Sequence, residues 1–416
     1  MLEVDPTSRA TDPQQMLQAA IAHAAAHGLH SLRMRDLAQT VGRSTTVIVN
    51  LFGTKSGLIQ AVGEAALRLD AEFHDKFFQS VAGLTLNRDT LLTLVRHYLH
   101  LRVSDDAGYA RILEALLLDG ETSPERRDLM RRWDAMRKRA WRDYLASDAR
   151  LATFAAPLVA WTTIEQFYAG ALQGRVEYEV IAAEGLSGLI DRAFDRPDGL
   201  PTATFWYRET LVLPQAPAVG LPPGSVQVKL LDIAADQILS RGVTALTNRS
   251  VSAVAGTSTS TIAYHWPDMR RFVLDAVWHS VFRDMPRYLA GQGPKEATAA
   301  VDLDRWTRTM APTVSIQPDA EGFYVRYVRL IASVCMEARR DKSLQDLTML
   351  LRGPEGGGTY YNSAGVWPPE FDLNRLAATR FALWIKGAAL TACATGIPLS
   401  TADLQTAAVQ LVARRA

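Results

Sequence analysis

The sequence predicts an all-α protein built from two tandem halves, and three observations support this. Apolar residues recur at three- and four-residue steps along most of the 416 residues, without the alternation that is typical of strands. The phrase GRSTTVIVNLFGTK at residues 42–55 returns in altered form as GTSTSTIAYHWPDM at residues 256–269. A proline-rich stretch, residues 196–224, lies between the two copies.

The two copies align at a single offset of 214 residues without a gap. The aligned pairs are Gly28 with Gly242, Leu32 with Leu246, Arg35 with Arg249, Gly42 with Gly256, Ser44 with Ser258, Ile48 with Ile262, Phe52 with Trp266 and Leu58 with Phe272. Because the aromatic and aliphatic positions keep their register, the pattern indicates an internal duplication.

Each copy predicts a helix-turn-helix. In the first, MLQAAIAHAAAHG predicts a helix that Gly28 ends, and RMRDLAQTVG predicts a second helix followed by a tight turn at Gly42. Ser44 is expected to cap the third helix, TTVIVNLF, as Ser258 does in the second copy, and a fourth helix is expected to begin near Lys55. Two short helices joined by a glycine turn are the hallmark of this motif.

Length and composition fit a multidomain globular protein. At roughly 100–200 residues per domain, 416 residues suggest more than one domain, and 48% hydrophobic with 21% charged residues is a globular balance. No apolar run predicts a membrane span, and the first residues lack the pattern of an export signal, so a cytoplasmic location is expected. The net charge of +1 means that any basic surface for nucleic acid has to be local.

The pattern divides the chain into five segments. These are a helix-turn-helix at 12–62, a helical domain at 63–195, a linker at 196–224, a second helix-turn-helix at 225–276 and a second helical domain at 277–416. Six prolines in the linker exclude a continuous helix, so FWYRETLVL within it is expected to lie against a domain surface as an extended segment. The glycine-rich stretch 353–365 lacks the ending of a phosphate-binding loop and is interpreted as a flexible connector.

Residues 14–62, with LRMRDLA, a glycine turn, STTVIVNLFGTKSGL and a long fourth helix, resemble the TetR family of bacterial transcriptional regulators, and residues 228–276 resemble it more weakly. Members dimerise through two C-terminal helices and bind a near-palindromic operator. The resemblance therefore implies two DNA-binding domains, two helical ligand and dimerisation domains, and a dimer fused into one chain. The expected partners are a double-stranded DNA operator and a small effector, and the expected state is a monomeric pseudo-dimer.

Two departures from the family pattern lie in the heads, our name for segments 12–62 and 225–276. Val49 and Ala263 stand where the recognition helix usually has a tyrosine, and the lysine that begins the fourth helix is present as Lys55 but replaced by Met269. The second head is therefore expected to bind DNA more weakly.

Candidate DNA-binding residues are polar side chains at the start of the recognition helix, which suit base edges, and cations around it, which suit phosphates. They are Arg33, Arg35, Thr45, Thr46, Asn50 and Lys55 in the first head, and Thr247, Arg249, Thr259, Ser260, Tyr264, His265 and Arg270 in the second. For each residue the alternative interpretation is a solvated helix surface.

Candidate ligand-binding residues are aromatic, methionine and isolated polar side chains on the later helices. They are Tyr98, Trp133, Met136, Trp161, Glu165, Tyr168, Tyr327, Met336, Phe381 and Trp384. Such residues suit a cavity between helices for a small apolar or aromatic effector, but a packed core uses the same residues.

No cofactor, metal or catalytic site is predicted. His23, His27 and His30 lack carboxylate or cysteine partners at ligand spacing, and Cys335 and Cys393 lie in apolar runs as core thiols. The preferred interpretation is a repressor that a small apolar ligand releases from DNA. A ligand sensor or partner-binding module with vestigial heads is the second, and a helical enzyme is a distant third.

Overall fold

A computed structural model of the chain describes residues 13–120, 123–212, 217–243, 246–290, 301–361 and 363–415. Within these ranges the regular structure is helical, and the one β-type pairing is an isolated antiparallel bridge between Phe371 and Arg414. The all-α prediction is confirmed. No helix in the described part of the chain is both long enough and apolar enough to cross a membrane.

The α-helices are numbered in chain order. They are α1 Pro13–His27, α2 Met34–Thr40, α3 Thr45–Phe52, α4 Lys55–Ser80, α5 Arg88–Val103, α6 Gly108–Leu117, α7 Pro124–Tyr144, α8 Ala149–Leu172, α9 Val176–Ala193, α10 Thr202–Thr210, α11 Val226–Arg241, α12 Asn248–Ala255, α13 Thr259–His265, α14 Met269–Ala290, α15 Leu303–Met310, α16 Phe323–Ala338, α17 Gln345–Arg352, α18 Gly357–Tyr361, α19 Arg375–Thr395 and α20 Thr401–Leu411.

The chain forms two compact units. Unit 1 comprises the described residues up to Gly83 together with Leu101–Ala140, and unit 2 comprises Leu84–His100 together with the chain from Trp141 onwards. The five segments proposed from the sequence stay predictions.

Unit 1 is organised around α4, which packs against α1 and α6. Its interior holds a buried charged cluster that the sequence pattern did not reveal. The Asp70 carboxylate accepts hydrogen bonds from Arg102 at 2.5 Å and from the Trp133 indole at 2.6 Å, and His74 lies one helical turn away with its Nδ1 3.2 Å from Oδ1 of Asp70. Burial alone would raise the pKa of Asp70, but attraction to Arg102 and His74 outweighs it and holds that pKa well below its usual range.

Unit 2 contains a four-helix arrangement of α8, α9, α19 and α20. Helix α19 packs along α8 and also contacts α9, while α20 contacts both α8 and α9. The backbones approach closely at one crossing, because a Cβ at Gly387 would overlap the carbonyl oxygen of Ala160. The buried Arg380 of α19 donates to Asp198 at 2.6 Å and to the Gly188 carbonyl of α9 at 2.7 Å, which adds polar contacts to the apolar packing.

This arrangement leads to a prediction about assembly. The C-terminal helices of the two predicted halves, which the resemblance in sequence implies would pair between subunits in a dimer, pack on each other inside one chain. We expect a monomer of 45.8 kDa in solution. Multi-angle light scattering at micromolar concentrations measures this directly, and a stable species of twice that mass would contradict it.

The linker differs from the prediction in one respect. FWYRETLVL does lie against a domain surface, but most of it belongs to the helix α10 rather than to an extended segment. Pro201 precedes this helix, and its first turn is free of proline. The Glu184 carboxylate of α9 accepts hydrogen bonds from the backbone N–H groups of Ala203 at 2.7 Å and Thr204 at 2.9 Å, which caps the helix. Residues 213–216, with Pro214, lie outside the described residues.

The predicted serine caps are also corrected. Ser44 and Ser258 occupy the N-cap positions of α3 and α13 but make no capping hydrogen bond through their side chains. The Ser258 hydroxyl is instead 2.6 Å from the Ser260 hydroxyl, a local contact that competes with the cap. In α4, by contrast, Thr54 caps through its side chain, which accepts from the Gly57 N–H at 3.1 Å.

Candidate nucleic-acid interface and ligand cavity

The two helix-turn-helix units have matching local structure at the offset that the sequence repeat defines. Helices α2, α3 and α4 begin at Met34, Thr45 and Lys55, and α12, α13 and α14 begin 214 residues later, at Asn248, Thr259 and Met269. The paired glycines Gly28 and Gly242 have φ of 86° and 81°, and Gly42 and Gly256 have φ of 65° and 68°, a region that favours glycine.

In the first head the candidate DNA-binding side chains are exposed. Helix α3 buries Ile48 and exposes Thr45, Thr46 and Asn50. Arg33 and Arg35 are exposed beside it, without an ion pair among the described residues, and Lys55 is exposed at the start of α4. The sequence prediction missed that Val47, Val49 and Leu51 are exposed on the same helix, so this surface is more apolar than a polar reading surface requires.

In the second head the candidates are also exposed, except for the half-buried His265, but several of them contact other side chains. Thr259, Ser260 and Arg249 are exposed, and Tyr264 is 85% exposed with His265 packed edge-on against it at 5.0 Å. The Thr247 hydroxyl oxygen accepts from the Ser250 N–H at 3.0 Å and so caps α12, an acceptor role that leaves its O–H free to donate.

The cations at the start of α14 are paired within unit 2. Arg270 donates to Ser343 at 2.7 Å and lies 3.4 Å from Asp341, and Arg271 lies 3.1 Å from Asp275. A hydrogen bond from Ser343 lowers the pKa of Asp341, and Arg270 adds to that effect. A phosphate would have to compete with these carboxylates, so the second head offers less free positive charge than its sequence suggests.

Unit 2 contains a partly open cavity of about 370 Å³, within the size range of small-molecule sites. Its walls come from α10, α11, α14, α16, α17, α19 and the glycine-rich stretch. The lining aromatic residues are Tyr207, Phe323, Tyr324, Tyr327 and Tyr361; the lining cations are Arg208, Arg326, Arg375 and Lys386; the lining carboxylate is Glu355.

The glycine-rich stretch forms part of the cavity wall and is not a loose connector. Gly353, Gly356 and Gly357 are buried. A Cβ at Gly353 would overlap the ring of Tyr207, and one at Gly356 would overlap the backbone of Thr379. Glycine is therefore required here for close approach to α10 and α19.

Behind the wall lies a network of buried ionisable side chains. Glu355 accepts from the Tyr168 hydroxyl at 2.8 Å and is ion-paired with Lys386. Glu165 accepts from the Tyr178 hydroxyl at 2.9 Å and from Nε of Arg352 at 3.2 Å. Burial lowers the pKa of Lys386 and raises that of Tyr168 well above its usual value.

The predicted ligand residues are spread through the molecule. Tyr327 lines the cavity, and Tyr168 and Glu165 lie in the network behind it. The others lie in packed positions outside the cavity lining. Tyr98 packs on Trp141, the Trp133 indole donates a hydrogen bond to Asp70, and Phe381 and Trp384 pack on each other. Trp161 is fully buried, and Met136 and Met336 are half-buried. A signal for the missed residues was present, since Lys386 is a lone lysine in the apolar run FALWIKGAAL.

The cavity also touches the second head. Leu239 of α11, within the second head, contributes to its lining, and so do Ser280 and Val281 of α14, on the part of that helix that continues beyond residue 276. Just beyond α11, the Val243 N–H donates to the Ser333 hydroxyl of α16 at 2.8 Å. The first and fourth helices of this head are thus in direct contact with the space that a ligand would fill.

The histidine and cysteine candidates have ordinary surroundings. The rings of His23 and His27 pack at 4.8 Å, and the side chain of His30 lies outside the described residues. No group of three potential metal ligands occurs in the part of the chain that the structure describes. Cys335 is buried, and burial raises the pKa of Cys393 to about 11, which disfavours the reactive thiolate.

Comparison with known proteins does not add a family to these observations, since no family model and no curated protein matches the chain.

Proposed function

We propose that this protein is a TetR-like transcriptional repressor that binds an asymmetric DNA operator as an intramolecular pseudo-dimer. The observation that carries the proposal is the common offset of 214 residues at which both helix-turn-helix units begin their second, third and fourth helices. The exposed polar residues of α3 and α13 suit base edges, and exposed cations such as Arg33, Arg35 and Arg249 suit phosphates.

The four-helix arrangement supports the pseudo-dimer. A protein that binds DNA through two heads needs an interface that holds its two halves together. In a homodimer this interface is the symmetric contact between subunits. Here α8 and α9 of one half pack on α19 and α20 of the other. This packing supports the proposal that the dimer contact is made within a single chain.

Control by a small ligand follows from the cavity. A ligand changes DNA affinity only if it binds one arrangement of the heads better than another. Because Leu239, Ser280 and Val281 line the cavity, a bound molecule contacts the helices that support α12 and α13. We propose that filling the cavity shifts α11 and α14 and so weakens DNA binding by the second head.

A second candidate function is a ligand sensor with vestigial heads. The observations that favour it are the ion pairs of Arg270 and Arg271, the apolar exposure of Val47, Val49 and Leu51, and the absence of the family's tyrosine at Val49 and Ala263. Recovery of no DNA site by the selection described next would favour this candidate.

The operator is the test of the preferred proposal. Each good base contact discriminates by about 1–3 kcal/mol, so two heads with different side chains must prefer different half-sites. In vitro selection from random duplexes is expected to recover an asymmetric site. Recovery of a perfect palindrome would refute the proposal that the two heads recognise different half-sites. Asn50→Ala is expected to relax specificity in one half-site only.

The phosphate contact of the first head has its own prediction. Lys55→Ala is expected to weaken binding to all sequences and to lower the slope of log K against log salt by roughly one unit. Lys76→Ala is the matched control, because Lys76 is exposed on the same helix but far from its start. Fluorescence anisotropy across a salt series measures both slopes, and equal slopes for the two variants would exclude Lys55 as a phosphate contact.

A further inference from the structure

We propose that the cavity of unit 2 binds a small aromatic carboxylate, and that Arg375 is the residue that holds the carboxylate group. This inference deepens the proposed function, on which it rests only for the claim that such a molecule is the effector. Binding to the cavity itself requires no DNA.

Arg375 is a buried cation in an unfavourable position. It is 4% exposed and is the first residue of α19, where the helix dipole presents its positive end. Its guanidinium donates to the Thr379 hydroxyl, but no carboxylate among the described residues lies within ion-pairing distance. Burial lowers the pKa of Arg375 to about 10, the direction expected for a cation without a compensating anion. An anion in the cavity would offset both the cost of burying the guanidinium and its repulsion by the positive end of the helix dipole.

The other charged groups of the cavity reinforce this preference. Glu355 is already paired with Lys386 and accepts from Tyr168, so it leaves no free negative charge for a cationic ligand. Arg208 and Arg326 line the same walls, and neither has an ion pair among the described residues. Arg208 instead donates to the Tyr361 hydroxyl and lies 4.4 Å from the centre of that ring. The walls thus carry four cations against one carboxylate.

The uncharged lining residues indicate what the rest of the ligand, apart from its carboxylate, should be. Five aromatic rings and several aliphatic side chains form most of the wall, which favours an aromatic or apolar group over a sugar or a peptide. A volume of about 370 Å³ lies near the lower end of known sites and fits one or two rings. A planar guanidinium matches the two oxygens of a carboxylate, so both parts of the ligand have a counterpart.

The experiment compares naphthalene-2-carboxylate with naphthalene-2-carboxamide, which differ in charge and hardly in size. Isothermal titration calorimetry of the full chain is expected to show at least about tenfold tighter binding of the carboxylate, since charge-assisted hydrogen bonds are roughly twice as strong as neutral ones. Arg375→Gln should abolish that preference. Arg308→Gln, which removes an exposed arginine of α15 outside the cavity, should retain it.

A stability measurement separates binding from a structural role. Removing a buried cation without an ion partner is expected to leave the melting temperature of the free protein unchanged or higher, whereas loss of a structural residue would lower it. The proposal is overturned by a lower melting temperature of Arg375→Gln, by equal binding of acid and amide to the wild type, or by an unchanged preference in Arg375→Gln. It is supported when the melting temperature holds and the preference disappears.

The effector role is tested separately. The naphthoate is added to a gel shift with the selected operator, and release of DNA would support its role as effector. If no DNA site is recovered but the carboxylate preference holds, the cavity assignment stands and the repressor proposal fails. If the operator is recovered but acid and amide bind equally, the repressor proposal stands and the carboxylate assignment fails.

Discussion

Replacing Arg102 with methionine is expected to lower the free energy of unfolding of unit 1 by about 3–5 kcal/mol, the usual cost of removing one partner of a buried ion pair. Methionine fills much of the same volume, so the effect comes from the Asp70 carboxylate, which loses Arg102 and keeps only His74 and the Trp133 indole as partners. Asp70 and Arg102 are both fully buried, and water cannot replace the lost hydrogen bonds without opening the core.

The same ion pair predicts a pH dependence. The pKa of Asp70 is lower in the folded state than in the unfolded state, so its contribution to stability is present above about pH 4 and is lost as the pH falls below that value. In Arg102→Met the buried carboxyl loses the attraction of Arg102 and keeps that of His74, so its pKa should be higher than in the wild type. The difference in stability between wild type and variant should therefore narrow as the pH falls, because the carboxyl of the variant is protonated first.

Urea denaturation of both proteins at several pH values measures these effects. Arg96→Met is the control, because Arg96 is exposed on the same helix, and it should change stability by less than about 0.5 kcal/mol. A loss below about 1 kcal/mol in Arg102→Met would show that Asp70 does not depend on Arg102.

Gly387→Ala is expected to destabilise unit 2 by about 3 kcal/mol, at the upper end of overpacking effects. The added methyl group would overlap the backbone carbonyl of Ala160, and a backbone atom cannot move aside without shifting α8 against α19. The loss should appear although alanine is intrinsically about 1 kcal/mol better than glycine in a helix.

Gly185→Ala in α9 is the matched control, since the substitution is identical and the helix belongs to the same four-helix arrangement. A Cβ there would lie 3.5 Å from Arg352 and 3.9 Å from Trp161, which is ordinary contact. This variant should be neutral or stabilised by up to about 1 kcal/mol. Differential scanning calorimetry compares the two, and equal melting temperatures would show that the α8–α19 crossing tolerates a wider separation.

The local structure of the heads could be predicted from sequence because its determinants are close in the chain. The turns at Gly28 and Gly42 require positive φ, which glycine adopts readily, and the apolar positions between them fix the buried face of each short helix. Glycine recurs at residues 242 and 256, so one sequence pattern predicted the local structure of both heads. The serine caps were wrong, and for Ser258 the reason is that the neighbouring Ser260 hydroxyl competes for the same side chain.

The cavity could not be predicted in this way, because its walls come from segments that are far apart in sequence. Tyr207, Tyr327, Glu355 and Arg375 meet only through the packing of α10, α16 and α19. Aromatic content was a poor guide, since a ring such as Trp161 is equally suited to a packed core. The more informative signal was charge in apolar surroundings, as at Lys386, which folding tolerates only with a specific partner.

The linker helix α10 has an evolutionary consequence under the proposed duplication. When two genes are first fused, the linker between the two protein halves only has to span the distance between them, and each half can still fold without the other. Here the linker contributes Thr204, Tyr207 and Arg208 to the cavity and is capped by Glu184 of the first half. A break after α10 would leave the cavity without one wall, and a break before α10 would remove the Glu184 cap from that helix. Under the proposed duplication, a return to two genes would therefore disturb either the cavity or the linker helix.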